Sequence, residues 1–391
     1  MKQAVMFGAG NIGRGFLGQL FSESGYDVVF VDVDEALIAA LNASHRYTLR
    51  LVDNEYVEEL SIGPVRAVHS RQTQEVAEAL AGADIAATAV GARILPQIAP
   101  LVAAGIARRA ENGNDRPLNL IVCENLHGAA SIFRKTVEAQ VAPAHRAYFE
   151  AHLGFVDTVI GRMVPPPTPE MRAQDAALIM VEPYKELPVD RSGFVGAIPA
   201  IVGMEPCDNF PVYTARKLYL HNAGHAMLAY LGYQRRHTFG YQALDDPAIR
   251  PLFEQALAES QAGIVAAFGA EAGWLKAHAD DLIRRYANRA LGDTILRLGR
   301  DPIRKLAPQD RLVGAARLAE KAGVKPEALS WGIAAAYRFD HPDDPVAMAL
   351  QARVAAEGLE AVMADVSGIA PGEPLSVVVS SCFRSMADRL A

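Results

Sequence analysis

In this chain of 391 residues, the stretch richest in chemistry is Arg216-Lys217-Leu218-Tyr219-Leu220-His221-Asn222-Ala223-Gly224-His225-Ala226. Read as a helix with Lys217 at zero, it puts His221, His225 and Asn222 at about 40°, 80° and 140°. Four polar groups then share one face, opposite Leu220, Ala223, Ala226 and Met227. The set suits alcohol oxidation without a metal. A lysine of lowered pKa can take the hydroxyl proton, an asparagine amide can cradle the developing oxygen, and a histidine can orient a hydroxyl. A solvated amphipathic face is the plain alternative, but the apolar run 226–231 argues for a cleft. His221 and His225 also have the i, i+4 spacing of zinc ligands. Asn222, however, occupies the glutamate position of an H-E-x-x-H motif, and His237 is the only further ligand in view. No metal is expected.

A second group of residues suits a dinucleotide. Gly8-Ala9-Gly10-Asn11-Ile12-Gly13 follows a short apolar run and opens a helical one, the context in which G-x-G-x-x-G carries weight. Gly8 serves a tight turn, Gly10 lets backbone approach a pyrophosphate, and Gly13 lets helix and strand pack closely. Asn11 and Ile12 begin the helix whose free N–H groups face the anion. Asp32 closes the next apolar run, where an acid accepts from the adenosine ribose. It would repel a 2′-phosphate, and neither Val33 nor Asp34 offers a compensating arginine, so the expected cofactor is NAD. Thr88 and Val90, after a later strand, should lie at the same sheet edge. The alternative is a structural glycine turn with Asp32 capping the following helix. Asn125 also follows a strand end, where an open sheet presents its site; alternatively it is a helix cap before Gly128.

Apolar runs at 4–7, 28–31, 85–90 and 118–123 alternate with helical stretches at 12–24, 34–43 and 95–110. That pattern predicts an α/β fold, a Rossmann-type doubly wound sheet with right-handed crossovers. Val164-Pro165-Pro166-Pro167-Thr168-Pro169 reads as a stiff extended connector. Beyond residue 214 long helical patterns take over, at 215–233, 247–268, 274–291, 309–322, 326–337 and 345–364. The expected organisation is an NAD-binding domain over 1–196 and a mostly α-helical substrate domain over 197–391. Net charge is −7, from 38 Lys and Arg against 45 Asp and Glu, which gives no general attraction to nucleic acid or anionic membrane. No run approaches the roughly 20 apolar residues of a membrane span. The start of the chain meets Gly8 too early for a secretory leader, and three scattered cysteines suit a reducing compartment. The expectation is a cytoplasmic enzyme with a small-molecule substrate, as a monomer or weak homo-oligomer.

Lys217, Asn222 and His225 fit the pattern K-x4-N-x2-H, and here the chain resembles the polyol-specific long-chain dehydrogenases, the mannitol dehydrogenase family. The resemblance continues at Gly8 to Gly15, at Cys123-Glu124-Asn125, and at Arg297-Leu298-Gly299-Arg300-Asp301-Pro302-Ile303-Arg304-Lys305-Leu306. It implies Lys217 as general base, Asn125 and Asn222 as oxyanion donors, His225 as a positioning group, and Arg297 and Lys305 against substrate. It further implies NAD-dependent interconversion of a sugar alcohol phosphate and a ketose phosphate, mannitol 1-phosphate and fructose 6-phosphate. Arg297, Arg300, Arg304 and Lys305 could clamp a dianion, although Arg300 and Arg304 could equally be a solvated turn capping a helix. Many members carry an aspartate where Ile160-Gly161-Arg162-Met163 has glycine, and His221 adds a polar group; both bear on the substrate. A non-phosphorylated polyol or a hexonate is the alternative substrate. A hydroxyacid dehydrogenase lacks its second glycine-rich loop here, and a silent NAD sensor would not need the lysine, asparagines and histidine together.

Overall fold

Parallel pairing of six short strands builds the first half of the chain, as seen in the computed structural model, which describes residues 2–390. All the strands of this half, those six included, are in chain order β1 (Lys2–Phe7), β2 (Tyr26–Asp32), β3 (Tyr47–Val52), β4 (Val57–Ile62), β5 (Val65–His69), β6 (Ile85–Thr88), β7 (Leu118–Val122), β8 (Leu153–Asp157), β9 (Ile179–Val181), β10 (Leu187–Asp190) and β11 (Met204–Cys207). The main sheet runs β5-β2-β1-β6-β7-β8 with every pair parallel. Strand order therefore reverses between β1 and β6, the switch point where such sheets open a crevice at their carboxyl ends. Alternation along β1 supplies both cores. Ala4 and Met6 pack with Phe16, Leu20 and Phe30 on one face, and Val5 and Phe7 pack with Leu80, Val102 and Phe133 on the other.

Residues 44–84, which carry no clear apolar period, form the β3–β4 hairpin, β5 and the helix Thr73–Gly82. β9 joins β3 in parallel to complete a three-stranded sheet. The helix after the glycine loop lies close against this second sheet. A Cβ on Gly15 would meet Val164, Ile179 and Val181, and one on Gly18 would meet the Tyr47 hydroxyl. The proline connector is extended through Pro167, but Pro169 already opens the helix Pro169–Gln174, with Thr168 as its cap. Proline is at home at that first helical position, where its missing N–H costs nothing. The packing divides between Phe210 and Pro211, beyond the boundary near residue 196 read from sequence. The reason is that β11 pairs in parallel with β10 and keeps the intervening loop in the first unit.

The second unit is helical. Its central helix, Ala223–Gln234, is buried on every side from Ala226 to Leu231, as expected of a helix inside a core rather than on a surface. Arg250–Phe268, Glu327–Ala336 and the short Ile295–Gly299 pack around it. The stretch 345–364, read as one helix, is broken at Gly358 into Pro345–Glu357 and Leu359–Ser367, because Gly358 takes φ 85. The helix Pro374–Arg389 escaped the sequence reading; its run of valines and serines has weak helix propensity. The other correction concerns the reading of 215–233 as one regular helix. Residues Lys217–Asn222 form a π-helical turn between Phe210–Arg216 and Ala223–Gln234, so uniform α-helical spacing does not hold through the lysine segment. Among the described residues no helix is long and apolar enough to cross a membrane.

Candidate active site

The glycines of the first loop divide their work by geometry. Gly8 has φ 95, and a Cβ there would stand 2.6 Å from the Ala89 carbonyl oxygen. A Cβ on Gly13 would stand 1.9 Å from the Gly8 carbonyl oxygen, whereas one on Gly10 would meet nothing within 4 Å. So Gly8 and Gly13 are required by the fold, and the open space at Gly10 is what a pyrophosphate needs. Asn11 and Ile12 are half-buried at the helix start. Asp32, at the end of β2, accepts from Ala9 N at 2.6 Å and from Val33 N at 2.7 Å. It does not cap the next helix; Asp34 does, through Leu37 N at 3.1 Å. With Asp34 N also donating to Oδ1 at 3.0 Å, the carboxylate ties the glycine loop to the strand end and keeps one lone-pair position, on Oδ2, for a ribose hydroxyl. Arg14, buried, clamps the loop from behind through the Ala9 carbonyl at 2.6 Å. These residues fit a dinucleotide.

Thr88 and Val90 sit on the other side of the switch point, and neither is free. The fully buried Thr88 hydroxyl donates to Glu124 at 2.6 Å, and Val90 N donates to the other oxygen of the same carboxylate at 3.0 Å. Glu124 also accepts from the Gly91 backbone, and burial raises its pKa above the usual carboxylate range. This buried carboxylate joins the loops after β6 and β7 and sets the backbone on which the exposed Asn125 stands. The next helix, Ala129–Glu138, begins at Gly128 with no side-chain cap, so Asn125 is not its cap. Gly161 lies under the Tyr184 ring, where a Cβ would come within 2.9 Å of Cε1; Tyr184 fills the space a side chain at 161 would use.

In the second unit, the π-helical turn begins at Lys217 and ends at Asn222. The His221 and His225 rings lie 5.0 Å apart, and the Tyr286 ring lies 4.4 Å from His225. The Tyr286 hydroxyl donates to the His221 carbonyl at 2.5 Å, a partner for backbone inside the irregular turn. Burial first, and then the charge of Lys217, holds both imidazoles well below their usual pKa, so both are neutral at neutral pH. His221 is buried and its Nδ1 meets no hydrogen-bond partner among the described residues. Asn222 is half-buried. Arg285, Arg297 and Arg311 add their charges around His225. His237 is engaged elsewhere, 2.7 Å from Asp246. Among the described residues, no three His, Cys, Asp or Glu side chains converge as metal ligands.

The downstream cations separate into different situations. Arg297 is exposed and pairs with Asp293. Arg304 pairs with Asp301 at 2.9 Å, and Asp301 caps the short helix Pro302–Lys305. Arg300 is exposed. Lys305 is buried and donates to the Arg300 carbonyl. Burial, then the charges of Arg311 and Arg304, brings its pKa down to about 7.

Comparison with known proteins agrees with this layout. Residues 2–203 match the mannitol dehydrogenase Rossmann domain, and residues 209–370 match the mannitol dehydrogenase C-terminal domain. The chain belongs to the mannitol dehydrogenase family. Within it, the chain is 40% identical over 377 residues to a mannitol-1-phosphate 5-dehydrogenase of Bacillus velezensis, covering 96% of this chain and 98% of that one. Among solved structures, it resembles a D-sorbitol dehydrogenase in substrate-free form (TM-score 0.83, 16% identity, 100% of this chain and 95% of that one). It also resembles the Pseudomonas fluorescens mannitol 2-dehydrogenase complex with NAD and D-mannitol (TM-score 0.74, 17% identity, 99% and 92%). At those identities the structures speak for the fold alone. As a member of this family, the protein is an NAD-dependent oxidoreductase.

Glu124, Tyr286 and Arg14 went unassigned in the sequence. Glu124 stands in the motif beside Asn125 and could have been found by asking what holds that loop; Tyr286 lies 65 positions from its partner His221 and left no local signal. Two outcomes are expected. Gly10→Ala should leave the melting temperature of the cofactor-free protein nearly unchanged while weakening NADH binding at least about tenfold, whereas Gly13→Ala should lower both; calorimetry and fluorescence titration measure the two. Glu124→Gln leaves a buried donor unpaired, a cost of about 1–3 kcal/mol, and should lower the melting temperature measurably in the same calorimeter.

Proposed function

We propose that the protein oxidises mannitol 1-phosphate to fructose 6-phosphate, reversibly, with NAD. The observation that carries this reading is the 40% identity, over nearly the full length of both chains, to a mannitol-1-phosphate 5-dehydrogenase. The cation-rich segment from Arg297 to Lys305 supports a phosphorylated substrate, since a dianion would offset charges that Asp293 and Asp301 only partly balance. NAD bound at the glycine loop supplies the hydride acceptor.

The chain's own residues supply the rest. Both histidines of the turn are held neutral, and Lys217, which opens the turn, takes the proton-transfer role that the family pattern gives it. Lys217 removes the hydroxyl proton during oxidation and returns it during reduction. The amides of Asn222 and Asn125 donate to the oxygen as it gains charge. Neutral His225, its ring held against Tyr286, orients the substrate hydroxyl. No step requires a metal. Arg297 and Lys305 hold the phosphate end, with Arg300 the further exposed cation of the same segment.

The deciding assay follows NADH oxidation with fructose 6-phosphate, and with fructose, tagaturonate and fructuronate in parallel. Selective turnover of fructose 6-phosphate is expected; turnover of another ketose or keto acid alone would overturn the phosphate reading. In that assay Lys217→Ala should lose at least about 10²-fold in kcat while NADH still binds. A pH series gives an independent check. With a pKa near 7, Lys305 loses its proton as pH rises from 7 to 9, while the substrate phosphate stays a dianion above its second pKa of about 6. The KM for fructose 6-phosphate should therefore climb with pH over that range, by up to about tenfold per unit. In Lys305→Gln it should start high and stay flat.

A further inference from the structure

The second unit carries a cleft of about 630 Å³ at the far end of the central helix, lined by Arg236, Arg338, His237, His341, Thr238 and Thr294 among others. From Asn222 to Gln234 the helix rises roughly 18 Å at 1.5 Å per residue, so the cleft is separate from the lysine turn. Its most unusual member is Arg236. The helix Ala223–Gln234 ends with Arg236 at φ 60, Arg236 N bonded to the Tyr233 carbonyl at 2.9 Å and His237 N bonded to the Gly232 carbonyl at 3.0 Å. That position favours glycine, and glycine is what the same unit uses elsewhere: Gly269, Gly292 and Gly368 follow their helices at φ 66, 61 and 60. A long cationic side chain is strained in this conformation. Such strain persists where the surroundings or a ligand make use of it.

The charges nearby leave Arg236 available. Asp246 is already taken by its two neighbours, Arg235 at 3.0 Å and His237 at 2.7 Å. Asp340, the carboxylate in the lining, accepts from the Tyr233 hydroxyl at 2.8 Å. Arg338 donates to the Phe383 carbonyl at 3.1 Å and lies over the Phe383 ring, which fixes its guanidinium without neutralising it. Among the described residues Arg236 itself has no ion-pair partner, and the cleft presents two guanidinium groups against one carboxylate. Thr238, Thr294 and the imidazoles add further hydrogen-bonding groups around them. We infer that this cleft binds a small phosphate-bearing anion, with Arg236 as its principal cation. The cleft wall also touches the segment that bears Arg297: Ile295 N donates to the Thr238 carbonyl at 2.9 Å, and Thr294 caps Arg297 N at 3.2 Å. An occupant therefore bears on the position of Arg297.

The test titrates the full chain with inorganic phosphate at constant ionic strength and follows the melting temperature. Without phosphate, Arg236→Gly should melt about 1–3 °C above the wild type, because glycine relieves the backbone strain. With phosphate, that variant should lose at least half of the wild-type rise, and Asp340→Asn should enlarge the rise by removing the opposing carboxylate. Lys305→Gln, which alters the proposed catalytic phosphate position, should leave the Arg236-dependent part in place. A phosphate-induced rise that is equal in wild type and Arg236→Gly, or absent from the wild type, overturns the proposal.

Discussion

Crowding of positive charge around a buried helix is the constraint that organises the second unit. Lys217, Arg285, Arg297 and Arg311 all act on His225, and carboxylates stand among them, with Asp281 beside Arg285, Asp293 beside Arg297 and Asp310 beside Arg311. Asp293 is itself pushed toward its neutral form by burial. The fold accommodates this crowding by keeping the imidazoles uncharged, and Lys305 donates to a carbonyl. A site assembled this way is preorganised for an anion and disfavours a cation at the same spot.

The first unit solves the opposite problem. It has to present backbone N–H groups at one sheet edge, and it uses carboxylates as internal ties to hold that edge in shape. Asp32 fastens Ala9, Arg14 closes on the Ala9 carbonyl, and Glu124 gathers Thr88, Val90 and Gly91. The two carboxylate ties each join separate segments, so the crevice at the switch point is set by side chains that lie behind it. That is why Thr88, expected at the cofactor edge, is fully buried with its hydroxyl turned to Glu124.

What could be read in advance follows from how local each cause is. The glycine loop was legible because the turn, the approach and the close packing each demand glycine whatever surrounds them. The alternating sheet and helix pattern was legible because strands buried on both faces are apolar throughout. The hairpin was not: Val57, Glu58 and Glu59 of β4 are exposed, so no buried face marks the strand. The unit boundary depended on pairing between β10 and β11, which leaves no trace in composition. Arg304 shows the limit of counting charges, since its place in a basic cluster is offset by a cap residue three positions earlier. The lysine, asparagine and histidines were identified as a group, but their spacing was read on a regular helix that the chain does not form.

That irregular turn has a consequence for anyone who would transplant or redesign the segment. A π-helical turn holds one more residue than an α-helical one would over the same span, and the helix that follows is locked in the core by Ala226 to Leu231. Deleting one residue between 217 and 222 would let the turn close as ordinary α-helix over the same span, leaving the locked half where it is and re-aiming the side chains inside the turn. The lysine would keep its chemical identity and lose its bearing. The length of this segment is therefore as much a functional specification as its letters, and a grafted copy must preserve the count before any side chain is chosen.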